Sequence, residues 1–255
     1  HVKFDTLLKK VKELGADYIA TGHYARVEKN GRFLLKKGVD HQKDQSYFLY
    51  PLSQQALSRT IFPLGNLTKV EVRKLAKKFN LKVADKEESQ EICFIDGNFG
   101  DLFELREGNI VDLNDNVVGT HKGYQLYTVG QRQGLGLARP RPAYVVEIRP
   151  KTNEIVVGDK GDVYGDDLVV RDLNLISISK LDHPTKVKAR IRHKNPESEA
   201  EISLLSQGKA KVMFKEPQFA ITPGQSVVFY DGDVVVGGGI IENNQVPMTN
   251  YGKYY

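Results

Sequence analysis

The hydrophobic period of this chain changes once, near residue 105, and that change limits what it can fold into. Before it, Phe4, Leu7, Leu8, Val11 and Leu14 recur at helical spacing and Gly15 supplies a stop. Asp17–Tyr24 follows as a short apolar strand running through Gly22 and His23. In open α/β sheets ligands gather beyond the carboxyl ends of strands, so Gly22 and His23 occupy an expected site edge. Thr68 and Glu71 form a capping box ahead of the apolar Val72, Leu75, Ala76 and Phe79. Residues 81–84 read as a further strand, and the charged run Asp85–Ser89 leads into Ile92-Cys93-Phe94-Ile95.

From Asn109 onward the period is two, with turn signals at short intervals. Tyr144–Ile148 and Glu154–Gly158 flank a Pro-Lys-Thr-Asn turn. Gln225–Tyr230 and Val234–Gly237 flank Asp231-Gly232-Asp233, the clearest hairpin. Lys186–Arg192 alternates strictly, which sets Val187, Ala189 and Ile191 inward and predicts a basic outer face of Lys186, Lys188, Arg190 and Arg192. The expected organisation is therefore α/β plus β: an α/β unit over 1–105, a β-rich middle domain over 106–165, a C-terminal β-barrel over 166–245 and a polar tail over 246–255.

Composition narrows the function classes. The 255 residues carry 37 Lys and Arg against 32 acids, a formal charge of +5 that permits a nucleic-acid partner without requiring one. No stretch of about 18 apolar residues occurs and the first residues lack a signal-peptide core, so a cytoplasmic protein with no membrane partner is expected. A single cysteine excludes an intrachain disulfide and any multi-cysteine zinc site, which fits a reducing compartment. Cys93 is then buried filler or chemistry, and composition alone favours filler. The six histidines show no ligand spacing, so no metal site is expected.

Val129–Leu137 is glycine-rich, yet it matches no phosphate-loop pattern and opens no helix, so it reads as a cluster of β-turns. Lys43-Asp44-Gln45-Ser46-Tyr47-Phe48 sets a cation, a carboxylate and an amide before an aromatic pair, a mix suited to phosphates and base edges. Taken alone, such a run is more often a solvated loop. Arg192-His193-Lys194 has the same two readings.

Six stretches, taken together and in order, resemble the tRNA 2-thiouridylase family. They are Leu14-Gly-Ala-Asp-Tyr-Ile-Ala-Thr-Gly-His-Tyr-Ala25, Lys43-Asp-Gln-Ser-Tyr-Phe-Leu49, Ile92-Cys-Phe-Ile95, Tyr127-Thr-Val-Gly-Gln-Arg-Gln-Gly-Leu-Gly136, Thr222-Pro-Gly-Gln-Ser-Val-Val-Phe-Tyr230 and Gly237-Gly-Gly-Ile-Ile241. The resemblance implies the later part of a PP-loop ATP-pyrophosphatase domain (adenine nucleotide alpha hydrolase-like), then a β-rich middle domain and a C-terminal β-barrel that binds tRNA. It implies adenylation of the C2 oxygen of the wobble uridine with ATP, as Mg-ATP, followed by sulfur transfer from a cysteine persulfide. The products are 2-thiouridine, AMP and pyrophosphate. A carbonyl oxygen leaves poorly and its AMP ester leaves readily, so a sulfur nucleophile can replace it.

Carried over by motif, Cys93 bears the persulfide and Gly22 borders ATP. His23, Lys43, Asp44, Gln45, Arg192, His193 and Gln225 contact tRNA. A persulfide donor or relay protein is the second implied partner. The family's Ser-Gly-Gly-Val-Asp-Ser-type loop and its first cysteine would precede His1, so the protein is expected to extend upstream. Glu104–Gly108 and Leu137–Pro142 are shorter than the family's connections. Two other readings fit the same residues: a non-catalytic tRNA-binding fragment, or another PP-loop enzyme such as an amide-forming ligase. The ligase leaves Ile92–Ile95 and the barrel unexplained.

Overall fold

The computed structural model describes residues 2–81 and 104–242. Cys93, the segment around it and the strand expected beyond Leu81 lie outside these residues. The described residues gather into two compact units, one of 2–81, 167–216 and 223–242, the other of 104–166 and 217–222.

In the first unit α1 (Val2–Glu13) ends at Gly15, whose φ of +68° is the left-handed conformation that glycine adopts at helix stops. The strand expected over 17–24 is shorter than its apolar run. Only β1 (Ile19–Ala20) is ladder-paired, and Gly22 and His23 follow its carboxyl end. Next come an antiparallel hairpin of β2 (Ala25–Asn30) and β3 (Arg32–Lys37), the short helices α2 (Ser46–Leu49) and α3 (Gln54–Ser58), and β4 (Thr60–Ile61). β4 runs parallel to β1 with Ile19 opposite Thr60.

α4 (Lys69–Lys78) starts on the predicted capping box: Glu71 N–H donates to Thr68 Oγ1 at 3.3 Å, and Thr68 N–H donates to Glu71 Oε2 at 2.7 Å. Such a box supplies about 1 kcal/mol. Among the described residues none of α4's side chains is buried, so the cap and not core packing accounts for its start.

The second unit is a four-stranded sheet of β5 (Gly108–Val111), β6 (Val117–His121), β7 (Tyr144–Arg149) and β8 (Glu154–Gly158), in the order β6-β5-β8-β7. β5 and β8 are parallel, and β7–β8 is the antiparallel hairpin expected from the alternation. Ile110, Leu135, Ala143, Val145, Ile155 and Val157 form its core. Burying each of the larger ones is worth about 1.5–3 kcal/mol. The glycine-rich run 129–137 opens no helix; its Gly130, Gly134 and Gly136 all adopt positive φ.

The remaining strands are β9 (Tyr164–Leu175), β10 (Thr185–Arg190), β11 (Ser198–Ser206), β12 (Lys209–Phe219), β13 (Ser226–Asp231) and β14 (Val234–Ile241). They follow the order β13-β10-β11-β12-β9-β14, and β13 pairs with β14, so the sheet closes into a six-stranded barrel. Closure removes the unpaired edges that would otherwise template association. Val187, Ala189 and Ile191 point inward with at most 7% exposure, as the alternation predicts.

Two features tie the first 81 residues to the barrel. β3 pairs with β14 through Lys36 and Val234, which extends the sheet by the β2–β3 hairpin. Gly238 leaves room for Tyr50: a Cβ there would lie 2.7 Å from Tyr50 Cδ2 and 2.6 Å from Val227 O.

Candidate nucleic-acid interface

Four short segments, far apart in sequence, meet in the first unit. The turn Asp40–Lys43 closes with Lys43 N–H donating to Asp40 O at 3.0 Å. The Asp40 carboxylate accepts Lys69 N–H at 2.9 Å and Gln42 N–H at 3.1 Å, so the start of α4 braces this turn. Those donors, Lys69 first, hold the Asp40 carboxyl below its usual range.

After the turn, Gln45 clamps the backbone beside His23. Its Oε1 accepts Tyr24 N–H at 3.0 Å, and its own N–H donates to Tyr24 O at 2.9 Å. His23 Nδ1 lies 3.0 Å from Thr21 Oγ1, and its ring meets Phe62 edge-on. Two residues on, Tyr47 donates its hydroxyl to Ser226 O at 2.8 Å, next to the exposed Gln225. Burial pushes the Tyr47 phenol up to about 12, so it remains a neutral donor at physiological pH. His193 closes the group, with Nε2 at 3.1 Å from Asp44 O and its ring centroid 4.5 Å from that of Phe48.

The sequence reading put Asp44 among the tRNA contacts, and the structure turns that side chain inward. It is 4% exposed, and its carboxylate accepts Gly38 N–H and Ser46 N–H at 3.1 Å and Ser46 Oγ–H at 2.9 Å. With those bonds made, Asp44 shapes the loop and presents its neighbours. Arg190 departs from the predicted basic face for a related reason. Its guanidinium is 2.7 Å from Glu197 Oε1 and 3.9 Å from Asp44 Oδ2, with only 17% of the side chain exposed.

Lys37 reaches the same Glu197 oxygen at 2.7 Å. Both cations also lie over the Tyr230 ring, Lys37 Nζ at 4.6 Å and Arg190 Cζ at 5.2 Å from its centroid. Burial raises the Tyr230 phenol, so its hydroxyl stays protonated beside Ser46 Oγ at 3.3 Å. Lys37, Glu197 and Tyr230 were not singled out from the sequence. Lys37 and Tyr230 come from β3 and β13 and Glu197 from the loop just before β11, and no linear spacing marks such a network.

The outward face is different. Phe48 is 56% exposed beside His193, an aromatic surface on which a base can stack. Lys43 and Arg192 are half-buried. Arg192 lies in the turn after β10 and not on the strand. Desolvation lowers the pKa of its guanidinium and Tyr47 opposes the shift, and the group stays charged at any working pH. Gly22 is exposed, and a Cβ there would meet only Leu64 Cδ1 at 3.7 Å, an ordinary contact, so a ligand can approach its backbone closely. Among the described residues no cluster of three or more His, Cys, Asp or Glu is arranged to hold a metal, and no helix is long and apolar enough to cross a membrane.

Comparison with known proteins covers nearly the whole chain. Residues 1–97 match the family described as tRNA methyl transferase HUP domain, and residues 100–159 match the tRNA methyl transferase PRC-barrel domain. Residues 165–241 match the aminomethyltransferase beta-barrel domain. The chain is 54% identical over 251 residues to tRNA-specific 2-thiouridylase MnmA 1 of Caldanaerobacter subterraneus subsp. tengcongensis, covering 94% of this chain and 69% of that protein. It is 53% identical to MnmA 2 of Thermoanaerobacter sp. (strain X514), with the same coverage of each. It is 49% identical to MnmA of Carboxydothermus hydrogenoformans, over 95% of this chain and 69% of that protein.

Proposed function

The chain belongs to the tRNA-specific 2-thiouridylase family, a family of tRNA sulfurtransferases, and from that premise we propose how its residues divide the work. The substrate is the wobble uridine of a tRNA, and the product is 2-thiouridine. ATP is the co-substrate, and it turns the C2 oxygen into part of a good leaving group. Gly22 borders it, because a residue with no side chain after the end of β1 lets a nucleotide approach the backbone.

In this reading Lys43 and Arg192 meet phosphates, while Phe48 with His193 offers a stacking face. His23 and Gln225 flank that face, and Gln45, whose oxygen is taken by Tyr24, keeps its Nε2 amide as a donor. Asp44 acts from within, holding the loop that carries them. The sulfur step belongs to Cys93. The terminal sulfur of its persulfide attacks C2, the C2–O bond breaks with AMP leaving, and a thiol other than this chain's single cysteine then attacks the Cys93 sulfur, forming a new disulfide as the old S–S bond breaks and sulfur stays on C2. The thiol first receives its sulfane sulfur from a donor or relay protein.

The observation that carries this reading is the convergence of His23, Lys43–Phe48, Arg192-His193 and Gln225-Ser226, four segments distant in sequence. The experiment is Cys93→Ser in the full-length enzyme with ATP, tRNA and a persulfide donor, following 2-thiouridine by mass spectrometry. Serine keeps the shape and cannot hold a sulfane sulfur, so thiolation is expected to vanish while tRNA binding survives. Wild-type thiolation by that variant would return Cys93 to the core-filler role and move the sulfur step to another group, whereas a wild type that binds tRNA and forms no 2-thiouridine would leave a non-catalytic tRNA binder as the better account.

A further inference from the structure

The second unit carries a set of donors that its own fold does not use. Between Asn116 and Val146 the sequence has no carboxylate, and Arg132, Arg139 and Arg141 are all exposed. They line a cleft of about 380 Å³ together with Gly134, Leu135 and Gly136. Among the described residues none of the three forms an ion pair. Arg139 is felt by the Asp112 carboxylate, which is already bonded to Asn114 and Asn116.

The loop is nevertheless held in place. Gly130 N–H donates to Val145 O at 2.8 Å, Val145 N–H to Gln131 O at 2.9 Å, and Gln131 Nε2 to Gln133 O at 2.9 Å. Leu135 is 6% exposed in the core of the unit, and Ala143 is buried at the far end. Between these anchors, no backbone N–H from Arg132 to Arg141 donates to a backbone acceptor among the described residues. Gly134 and Gly136 have φ of +76° and +65°, and a Cβ would meet only Gln131 Nε2 at 3.8 Å at the first and no atom within 4 Å at the second. Arg139 and Arg141 each precede a proline, which confines them to extended backbone and lowers the entropy of ordering them on a ligand.

We propose that Arg132, Arg139 and Arg141, with the open backbone at Gly134 and Gly136, bind the phosphate backbone of the tRNA as a contact separate from the loops of the first unit. The proposal rests on the reading of the chain as a tRNA thiolase. Polyanionic backbone suits the cleft better than a small anion does, because all three guanidiniums are exposed and no buried polar group is aimed inward to desolvate a lone ion.

The test uses full-length enzyme and measures tRNA affinity across a salt series for wild type, Lys43→Ala, the triple Arg132→Ala/Arg139→Ala/Arg141→Ala and the corresponding triple lysine variant. The alanine triple is expected to bind on the order of tenfold more weakly near physiological salt, with the slope of log affinity against log salt shallower by roughly two to three. The lysine triple should keep the wild-type slope. Should the alanine triple fail to fold, Arg139→Ala alone is read for a slope change of about one. An unchanged slope in the arginine variants, with Lys43→Ala still weakening binding, overturns this proposal and leaves the thiolase reading standing. Insensitivity of both sets overturns both. Weaker saturation by ATP with unchanged tRNA binding would make the cleft a nucleotide site and also defeat the proposal.

Discussion

Two sets of cations, one in each unit, are used in opposite ways. In the first, Arg190 and Lys37 share Glu197 Oε1 at 2.7 Å and lie over Tyr230, with at most 17% of either cation's side chain exposed. In the second, Arg132, Arg139 and Arg141 are exposed and unpaired among the described residues. Net charge treats all of them alike. A cation matched by a carboxylate inside the fold organises the backbone around it, and an unmatched one is available to an outside anion. The difference lies in which acids folding brings near, not in the arginines.

The largest effect should come from breaking the matched set. Arg190→Ala leaves Glu197 with Lys37 alone and removes the guanidinium near Asp44, at a cost of about 1.5–3 kcal/mol in denaturant unfolding. A loss below about 1 kcal/mol would mean that the network contributes no more than a surface ion pair, and the contrast would collapse.

A middle-sized effect should come from Gly238→Ala. The added methyl meets Val227 O and Tyr50, so stability should fall by about 1–3 kcal/mol. Because Tyr50 follows α2, tRNA affinity should fall with it, whereas Gly161→Ala in the second unit meets no neighbouring atom within 4 Å and should leave affinity unchanged. Equal effects on tRNA affinity from the two variants would count against the role of Tyr50 in seating the loop.

The smallest effect concerns acid. The Asp40 carboxyl is held below its ordinary value, so folding favours its ionised form; its contribution is complete above the ordinary carboxylate range and is lost as the pH falls through the lowered value. Lys43 should therefore loosen in acid, seen as lower amide protection, relative to the intrinsic exchange rate, at Gln42, Lys43 and Lys69, and Asp40→Asn should flatten that dependence. Protection at these amides, taken relative to their intrinsic exchange rates, that does not change with pH in the wild type would remove Asp40 from the account.

Much of the architecture was legible in the linear pattern. The helix ending at Gly15, the Thr68–Glu71 capping box, the β7–β8 and β13–β14 hairpins and the inward row Val187, Ala189 and Ile191 are all set by neighbours within a few residues. The β2–β3 hairpin was not legible, because Arg26, Glu28, Lys29, Arg32, Lys36 and Lys37 mask its alternation, and its pairing with β14 is a long-range event. At the site, the segments were legible as motifs while their functions within the fold were not. Asp44 was read as a contact and serves as an internal brace, and Arg190 was read as surface charge and lies in an ion network.

By itself, then, the sequence determined where helical period gives way to alternation, which residues cap and turn, and which segments carry cations beside aromatics. These are local matters, decided by backbone sterics and by hydrogen bonds a few residues long. Only the tertiary structure decided that Gln45 grips Tyr24, that His193 meets Asp44 O and Phe48, and that Glu197 neutralises Lys37 and Arg190. Those pairings join residues up to 160 positions apart, as Glu197 and Lys37 are (197 − 37), and a linear pattern holds no information on distance in space. The physical reason is that a charge is worth what its surroundings make it, and closure of the barrel supplies those surroundings.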